Sequence, residues 1–192
     1  MPTIVIATPT EQDRTLATLG TAFVADPLVR WLFPEPGEYL AHFISLGRFF
    51  AGRAFEHGAA YRSDDFMAAA LWLPPGVHPD EESMGALMAS ALPAERHEEV
   101  FGLLEQVSGS HPEQEHWYLP AIGVDPRCQG GGYGSALLQK SLEACDRTHT
   151  AAYLEASTDR SLSLYQRFGF EAIGRIQQGS SPTIVPMLRS AR

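Results

Sequence analysis

The 192-residue sequence predicts a mixed α/β fold, because strand-like and helix-like segments alternate along it. Three observations support this prediction. Residues 38–58 repeat apolar side chains at helical spacing, residues 59–63 and 66–75 have the pattern of a β-hairpin, and residues 116–157 follow the order strand, helix, strand. No internal repeat or linker-like stretch divides the chain, so we expect a single domain over residues 1–192.

The first strand and the first helix are indicated by an apolar run and a capping residue. Residues 3–8 (TIVIAT) are rich in β-branched side chains, which favour a strand. Thr10 is a candidate N-cap, since a threonine hydroxyl can accept a hydrogen bond from the first helical turn. We expect this helix to end near residues 25–27 (ADP). Its apolar side comprises Leu16, Leu19, Phe23 and Val24.

The second helix is predicted over residues 38–58 and ends at Gly58, because glycine is common just after a helix C-terminus. Its apolar positions are Leu40, Phe43, Ile44, Gly47, Phe50 and Ala54. After the hairpin, residues 80–109 contain two further helices. Pro93 separates them, since proline is poorly tolerated inside a helix.

The C-terminal half is expected to alternate strands and helices to the end of the chain. Its elements are a strand at 116–124, a helix through Arg147, a strand at 151–157, a helix at 159–168, and strands at 170–177 and 183–189. Gly169 indicates the end of the second of these helices, because glycine readily takes the left-handed conformation found there.

The composition narrows the classes of function. Acidic residues (23) outnumber Lys and Arg (14), which gives a net charge of −9 and argues against nucleic acid or an anionic membrane as a partner. Two cysteines, Cys128 and Cys145, are too few for a disulfide framework or a zinc site, so we expect no metal. No apolar run is long enough to span a bilayer, and we expect a cytoplasmic protein.

A glycine cluster is the most informative feature of the sequence. Residues 124–138 (VDPRCQGGGYGSALL) place four glycines within five positions, directly before an apolar helical pattern. Glycine beside a helix is costly, because it loses more backbone freedom on folding than alanine does. We infer that another molecule approaches this backbone closely. Unpaired N–H groups at a helix N-terminus favour an anion, so the pattern is typical of a pyrophosphate cradle.

Three alternatives to this cradle are to be weighed. In a dinucleotide-binding turn Glu155 would bind the ribose, but the third small residue of that motif falls on Ser135 or Leu137, according to the register. A nucleotide-triphosphatase loop needs a Gly-Lys-Ser/Thr sequence, which does not follow these glycines. A glycine-rich turn that binds nothing stays open as the third alternative.

Two segments together resemble the GNAT family of N-acetyltransferases. The family signature is a strand, then Arg/Gln-x-x-Gly-x-Gly/Ala, then a helix, which Gln129, Gly132 and Gly134 match. The second segment is a strand (YLEAS) followed by a helix with Tyr165 (LYQRFGFE). The likeness covers about residues 116–174 and is strongest to the branch that contains puromycin N-acetyltransferase. It implies a mixed, mostly antiparallel, twisted sheet of six to seven strands, flanked by helices, with central strands that splay at the cofactor site.

The resemblance also implies acetyl-CoA as cosubstrate and assigns residues to it. Backbone groups of Ile122, Gly123 and Val124 are expected to pair with the pantetheine arm, and Pro120 marks a plausible place for the strands to part. The N–H groups expected at the pyrophosphate belong to Gln129, Gly130, Gly131, Gly132, Tyr133, Gly134 and Ser135. Where the family often has asparagine, seven residues before the tyrosine, this chain has Thr158. Thr158 or Ser161 is expected to replace that contact.

The implied reaction is direct attack of a primary amine on the thioester. It requires a proton for the leaving thiolate and a group that removes a proton from the ammonium. Tyr165 occupies the family position that supplies the first. Glu155 is the first candidate for the base, and His116 and Glu115 are alternatives.

The acceptor side is expected to carry aromatic residues. Trp31 and Phe33, in the segment 26–40, and Tyr118 on the strand are candidate substrate contacts. The leading hypothesis is acetylation of a small-molecule amine, by a monomer or homodimer. The alternatives are acetylation of a protein or peptide, and a non-catalytic module that senses acyl-CoA.

Overall fold

The computed structural model describes residues 2–192, and within them seven strands and seven α-helices form. The strands are β1 (Ile4–Ile6), β2 (Ala60–Ser63), β3 (Ala68–Leu73), β4 (His116–Val124), β5 (Ala151–Ala156), β6 (Glu171–Ala172) and β7 (Val185–Arg189). The helices are α1 (Gln12–Ala22), α2 (Pro27–Leu32), α3 (Pro36–Ala51), α4 (Glu81–Ala91), α5 (His97–Gly109), α6 (Tyr133–Arg147) and α7 (Asp159–Arg167).

All seven strands belong to one sheet in the order β1-β2-β3-β4-β5-β7-β6. Every neighbouring pair is antiparallel except β4 and β5, which run parallel. A parallel pair needs a crossover connection, and the glycine loop with α6 supplies it. The predicted fold class, a mixed and mostly antiparallel sheet flanked by helices, is therefore confirmed.

The two central strands part at Pro120, where the sequence predicts the break. β4 and β5 pair only from His116 with Ala151 to Leu119 with Leu154. Beyond this point β4 continues to Val124 along β3, and β5 continues to Ala156 along β7. Proline cannot donate a ladder hydrogen bond, which favours the separation here. The splay leaves a wedge-shaped opening between the strands.

The sheet is buried on both faces by helices. Alternate residues of β3 belong to two separate cores, because successive side chains of a strand point to opposite faces. Leu71 packs in the core formed with α1, α3, α4 and α5. Trp72 packs in the core formed with α6 and α7. An almost continuous apolar sequence (AAALWL) suits a strand that is covered on both sides.

Several predicted details are wrong for local reasons. Thr10 is not a helix cap, because Thr8 and Glu11 form the capping box of a short 3-10 turn that precedes α1. Val24 lies beyond the end of α1 and Leu40 is 76% exposed, so neither belongs to the core. The helix expected over 38–58 is α3 followed by a 3-10 turn over Gly52–Phe55. The sequence analysis also missed α2.

None of the helices within residues 2–192 combines the length and the apolar character that a membrane crossing requires.

Gly123 allows α1 to pack against β4, and its replacement is expected to destabilise the fold. A Cβ atom there would lie 2.6 Å from the Ala22 Cβ, so Gly123→Ala should lower the free energy of unfolding by about 1–3 kcal/mol. Gly85, inside α4, has open space at the same position and is the matched control. Gly85→Ala should raise stability by about 0.5–1 kcal/mol. Urea unfolding of both variants measures the difference, and equal effects would contradict the close packing.

Candidate active site

A cavity of about 820 Å³ occupies the opening between the splayed strands. The second half of β4, the glycine loop, the N-terminal turns of α6 and α7, and the end of β5 line it. Its inner part extends between α3, α4 and α5, where the walls are aliphatic, aromatic and sulfur-containing side chains. The sequence-predicted segments 116–124 and 153–168 therefore meet in one place.

The glycine loop exposes a row of backbone N–H groups at the start of α6. Gly130 and Gly132 have φ of 83° and 84°, a left-handed conformation that glycine adopts without strain. The N–H groups of Gly132, Tyr133, Gly134 and Ser135 have no acceptor within residues 2–192. Because a helix N-terminus also carries positive dipole charge, this turn is suited to bind a phosphate.

Gly131 and Gln129 have other partners in the loop. The Gly131 N–H donates to the Cys128 carbonyl at 3.2 Å, so it is not available to a ligand. The Gln129 side chain donates to the Val124 carbonyl at 3.3 Å and accepts from Arg160 at 2.5 Å. These hydrogen bonds within the protein give the Gly131 N–H and the Gln129 side chain a role in holding the loop together.

Beyond Leu119 the cleft-facing edge of β4 pairs with no other strand of residues 2–192, where the Gln129 side chain is its one polar partner, at the Val124 carbonyl. The Asp125 N–H donates to the Met67 carbonyl at 2.8 Å, which fixes the phase of the antiparallel ladder. Because hydrogen-bonding direction alternates along a strand, Gly123 faces β3, and Ile122 and Val124 direct their backbone groups into the cleft. The backbone N–H and C=O groups of Ile122 and Val124 therefore face the opening, whereas those of Gly123 face β3.

Tyr165 reaches the cleft from α7. Its side chain is 5% exposed and packs edge-on against Phe170, with 6.0 Å between the ring centres. Its hydroxyl has no hydrogen-bond partner within residues 2–192. Burial, aided by the negative charges of Asp26 and Glu155, raises the pKa of Tyr165 well above its ordinary value. The phenol is therefore neutral at pH 7 and free to donate a proton.

Thr158 and Ser161 line the cleft but are partnered with each other. The Thr158 hydroxyl accepts from the Ser161 N–H at 3.1 Å, and the Ser161 hydroxyl lies 2.9 Å from it. Together they form the capping box of α7. Their first role is thus to fix the helix that carries Tyr165.

Glu155 is a buried carboxyl group at the point where β5 leaves β4. Its side chain is 10% exposed, and Oε2 accepts a hydrogen bond from the Tyr118 hydroxyl at 2.9 Å. Burial raises the pKa of Glu155 to about 7, although the hydrogen bond from Tyr118 acts in the opposite direction. A carboxyl group that is half ionised near neutral pH suits a general base.

The second oxygen of Glu155, Oε1, is buried without a hydrogen bond and faces His111 Nε2 at 3.6 Å. Burial, followed by the neighbouring His116 and His78, lowers the pKa of His111 to about 4. His111 is therefore neutral at pH 7, and the two groups do not form an ion pair.

Asp26 and Ser157 also lie at the cleft, and the sequence analysis missed both. Asp26 caps α2 by accepting from the N–H groups of Leu28 (3.0 Å) and Val29 (3.1 Å). Its other oxygen accepts from the Ser157 hydroxyl at 2.6 Å. The sequence contains a signal for the start of α2, because an aspartate directly before a proline is a common helix start. The sequence analysis instead interpreted the segment ADP as the end of the preceding helix.

The predicted aromatic substrate contacts are not in the cleft wall. Phe33 is fully buried in the core, so its assignment is wrong. Trp31 points elsewhere, with its indole N–H on the Ser180 hydroxyl at 3.0 Å and the Arg96 guanidinium over its ring. Tyr118 is buried and acts on Glu155 through its hydroxyl. The sequence near a helix end does not show whether an aromatic side chain faces the core or the cavity.

Within residues 2–192 no group of three or more His, Cys, Asp or Glu side chains is placed to hold a metal ion.

Comparison with known proteins places this site in a family. Residues 51–170 match the model of the Acetyltransferase (GNAT) family. An uncharacterized N-acetyltransferase of Schizosaccharomyces pombe is 25% identical in an alignment 182 residues long, and the alignment covers 83% of this chain and 70% of that protein.

Solved structures share the fold over nearly the whole chain. A Corynebacterium glutamicum protein described as histone acetyltransferase HPA2 and related acetyltransferase is 23% identical, with a TM-score of 0.71 and coverage of 100% of this chain and 97% of that one. The polyamine N-acetyltransferase of Drosophila melanogaster is 14% identical, with a TM-score of 0.69 and coverage of 99% and 100%. The family model spans more than half of the sequence and includes the glycine loop and Tyr165, so the chain belongs to the acetyltransferase (GNAT) family.

Proposed function

We propose that this acetyltransferase uses acetyl-CoA to acetylate a primary amine of a small molecule, with residues 1–192 acting as one domain. One observation carries the proposal: the free N–H groups of the glycine loop, the unpaired edge of β4, and Tyr165 and Glu155 all border a single cavity. A phosphate site, a strand edge and a pair of proton-transfer groups are what transfer from a coenzyme A thioester requires.

The residues of the cleft suit acetyl-CoA, which supplies the activated acetyl group. N–H groups of Gly132 to Ser135 would hold the pyrophosphate, where glycine leaves room for close approach. Backbone groups of Ile122 and Val124 would pair with the amide-bearing arm, as one strand edge pairs with another. Gly123 and Gly131 have a structural role in this scheme, because their backbone groups are used within the protein or face β3.

Proton transfer is assigned to the two buried groups. Glu155, with a pKa raised to about 7, would take a proton from the bound ammonium and leave a neutral, nucleophilic amine. Tyr165, whose pKa is raised further, would donate its hydroxyl proton to the departing thiolate. The carboxylate of Asp26 adds negative charge at the cleft and would favour a cationic acceptor.

The inner part of the cavity favours an acceptor with an apolar body. Its walls include Leu46, Phe50, Met84, Leu104 and Val107. Apart from the two carboxylates, such a surface offers no partner for a second charge, and an unpaired buried charge is costly. We therefore propose an alkyl- or arylalkylamine as substrate, with its amino group at Glu155 and its body between α3, α4 and α5.

Turnover of a series of linear primary amines tests this function. Purified protein is mixed with acetyl-CoA and amines from propylamine to octylamine, and free thiol is measured. Each added methylene should raise kcat/KM by about fourfold until the inner part of the cavity is filled, since burial of one CH₂ contributes about 0.8 kcal/mol. A diamine of equal length is the matched control and should react more slowly, because it adds a second charge to the same chain.

Other outcomes identify the alternatives. Thermal stabilisation by acetyl-CoA without thiol release for any amine would favour a non-catalytic sensor of acyl-CoA. Release with peptides but not with small amines would favour a protein or peptide acetyltransferase. No stabilisation by millimolar acetyl-CoA would refute the proposed cosubstrate.

A further inference from the structure

A chain of side chains connects the buried Glu155 to the protein surface. His111 Nε2 lies 3.6 Å from Glu155 Oε1, and His111 Nδ1 lies 3.1 Å from His116 Nε2. His116 Nδ1 lies 2.8 Å from the Gln114 carbonyl oxygen, at an exposed position. Neither histidine belongs to the wall of the cavity, so the chain leaves Glu155 on the side away from the cleft.

One carbonyl group fixes the tautomers of both rings. The Gln114 carbonyl only accepts, so His116 must carry its proton on Nδ1, and in the neutral ring Nε2 is then an acceptor. His111 must therefore donate from Nδ1, which leaves its own Nε2 as an acceptor facing Glu155. Ionised Glu155 has no proton to offer this nitrogen, which explains why Oε1 has no hydrogen bond.

We propose that His111 and His116 form a relay that carries to solvent the proton that Glu155 takes from the substrate ammonium. This inference rests on the proposed function of the cleft. When Glu155 has taken the ammonium proton from the cleft, rotation of its carboxyl group about the Cγ–Cδ bond places the O–H opposite His111, at the position of Oε1. The Nε2 of His111, which has no donor in the resting protein, then accepts a hydrogen bond from it. In the resting protein the Nε2 acceptor of each ring faces Glu155 or the ring nearer to it, and the Nδ1–H donor of each ring faces outward. Proton transfer from Glu155 to solvent requires this arrangement.

The transfer is a shift of three N–H or O–H bonds. The Oε1–H bond of Glu155 breaks as an N–H bond forms at His111 Nε2, while the Nδ1 proton of His111 passes to His116 Nε2. His116 then holds two protons and releases one to water, so that one proton has moved from Glu155 to solvent. Exchange with water restores the tautomer of His111, whose side chain is 27% exposed.

The surroundings hold the relay in place. The rings of Tyr118 and Tyr153 pack on His111, with ring centres 4.6 and 4.5 Å away. The Tyr153 hydroxyl is in turn 2.7 Å from the Ser110 hydroxyl. The titratable groups that face His111 are Glu155, Tyr118, Tyr153, His116 and His78. A full charge on His111 is disfavoured, so the two transfers should be concerted and place the charge on the outer ring.

Nitrogen NMR of the histidine rings tests the arrangement without turnover. In the ligand-free protein at pH 7, long-range ¹H–¹⁵N spectra should show a proton on Nδ1 of both His111 and His116, and none on Nε2 of His111. Assignments follow from His111→Gln and His116→Ala spectra. A proton on His111 Nε2 would overturn the relay whether or not the protein acetylates amines.

Kinetics tests the transfer itself, with the fastest amine of the alkylamine series in weak buffer. His111→Gln and His116→Ala should each lower kcat about tenfold with little change in KM. Added imidazole should restore much of the loss in His116→Ala, because it can accept the proton at the exit. The matched control is His57→Gln, at an exposed position outside the cavity wall, which should retain kcat within twofold.

The outcomes separate the two proposals. If the wild type turns over and both relay variants keep its kcat, the relay is overturned and the function of the cleft stands. If no amine is acetylated by the wild type, the proposed function fails, and the NMR result alone decides whether His111 and His116 have the inferred tautomers.

Discussion

Replacement of Tyr165 by phenylalanine should lower kcat by about 10²–10⁴-fold, the range expected when a general acid is removed. The hydroxyl has no hydrogen-bond partner within residues 2–192, so the change removes a proton donor and little else. The ring still packs on Phe170, and KM for acetyl-CoA should change little because the glycine loop is untouched. The measurement is thiol release under saturating acetyl-CoA.

The control is a second buried tyrosine, Tyr61, which belongs to the same core but is not part of the cavity wall. Burial raises the pKa of the Tyr61 hydroxyl, as it does for Tyr165. Tyr61→Phe therefore removes the same group from a similarly buried position. Its kcat should stay within twofold of the wild type. If Tyr165→Phe lost no more activity than Tyr61→Phe, water or another group would have to protonate the thiolate.

The parts of the candidate site that sequence alone could predict are those that are encoded locally. The glycine loop is a contiguous pattern with a direct backbone consequence, since positive φ at Gly130 and Gly132 and a bare helix N-terminus need only neighbouring residues. Tyr165 follows a strand at a spacing that resembles the family. The break at Pro120 was also predictable, because a missing N–H acts where the proline stands.

The missed parts depend on contacts between distant segments. Asp26 meets Ser157 across 131 positions of the chain, and nothing near either residue signals the other. His111 lies in a loop with no periodicity, and only the pairing of β4 with β5 brings it beside Glu155. Phe33 was misassigned because a large aromatic side chain suits a core and a pocket wall equally well in sequence.

The proposed role of Glu155 as the general base has a consequence for the dependence of activity on pH. A base must be ionised to accept a proton, and burial raises the pKa of Glu155 to about 7. The wild-type kcat/KM should therefore rise with pH and level off above about pH 7. Glu155→Gln should lower kcat by about 10²–10³-fold and abolish this rise, since the amide does not titrate. Glu105→Gln, at an exposed position on α5, is the matched control and should keep the wild-type profile.

The same residue gives a test that needs no substrate. The pKa of Glu155 is raised from 4.5 to about 7 in the folded protein, so folding favours the protonated form. The stabilising contribution of that form is complete below pH 4.5 and is lost as the pH rises through 7. The change from 4.5 to about 7 corresponds to roughly 3 kcal/mol of unfolding free energy. Urea unfolding at pH 5 and pH 8 should show a smaller decline for Glu155→Gln than for the wild type. An equal decline would mean that Glu155 is ionised throughout this range, and a carboxylate of ordinary pKa would be too weak a base for an ammonium.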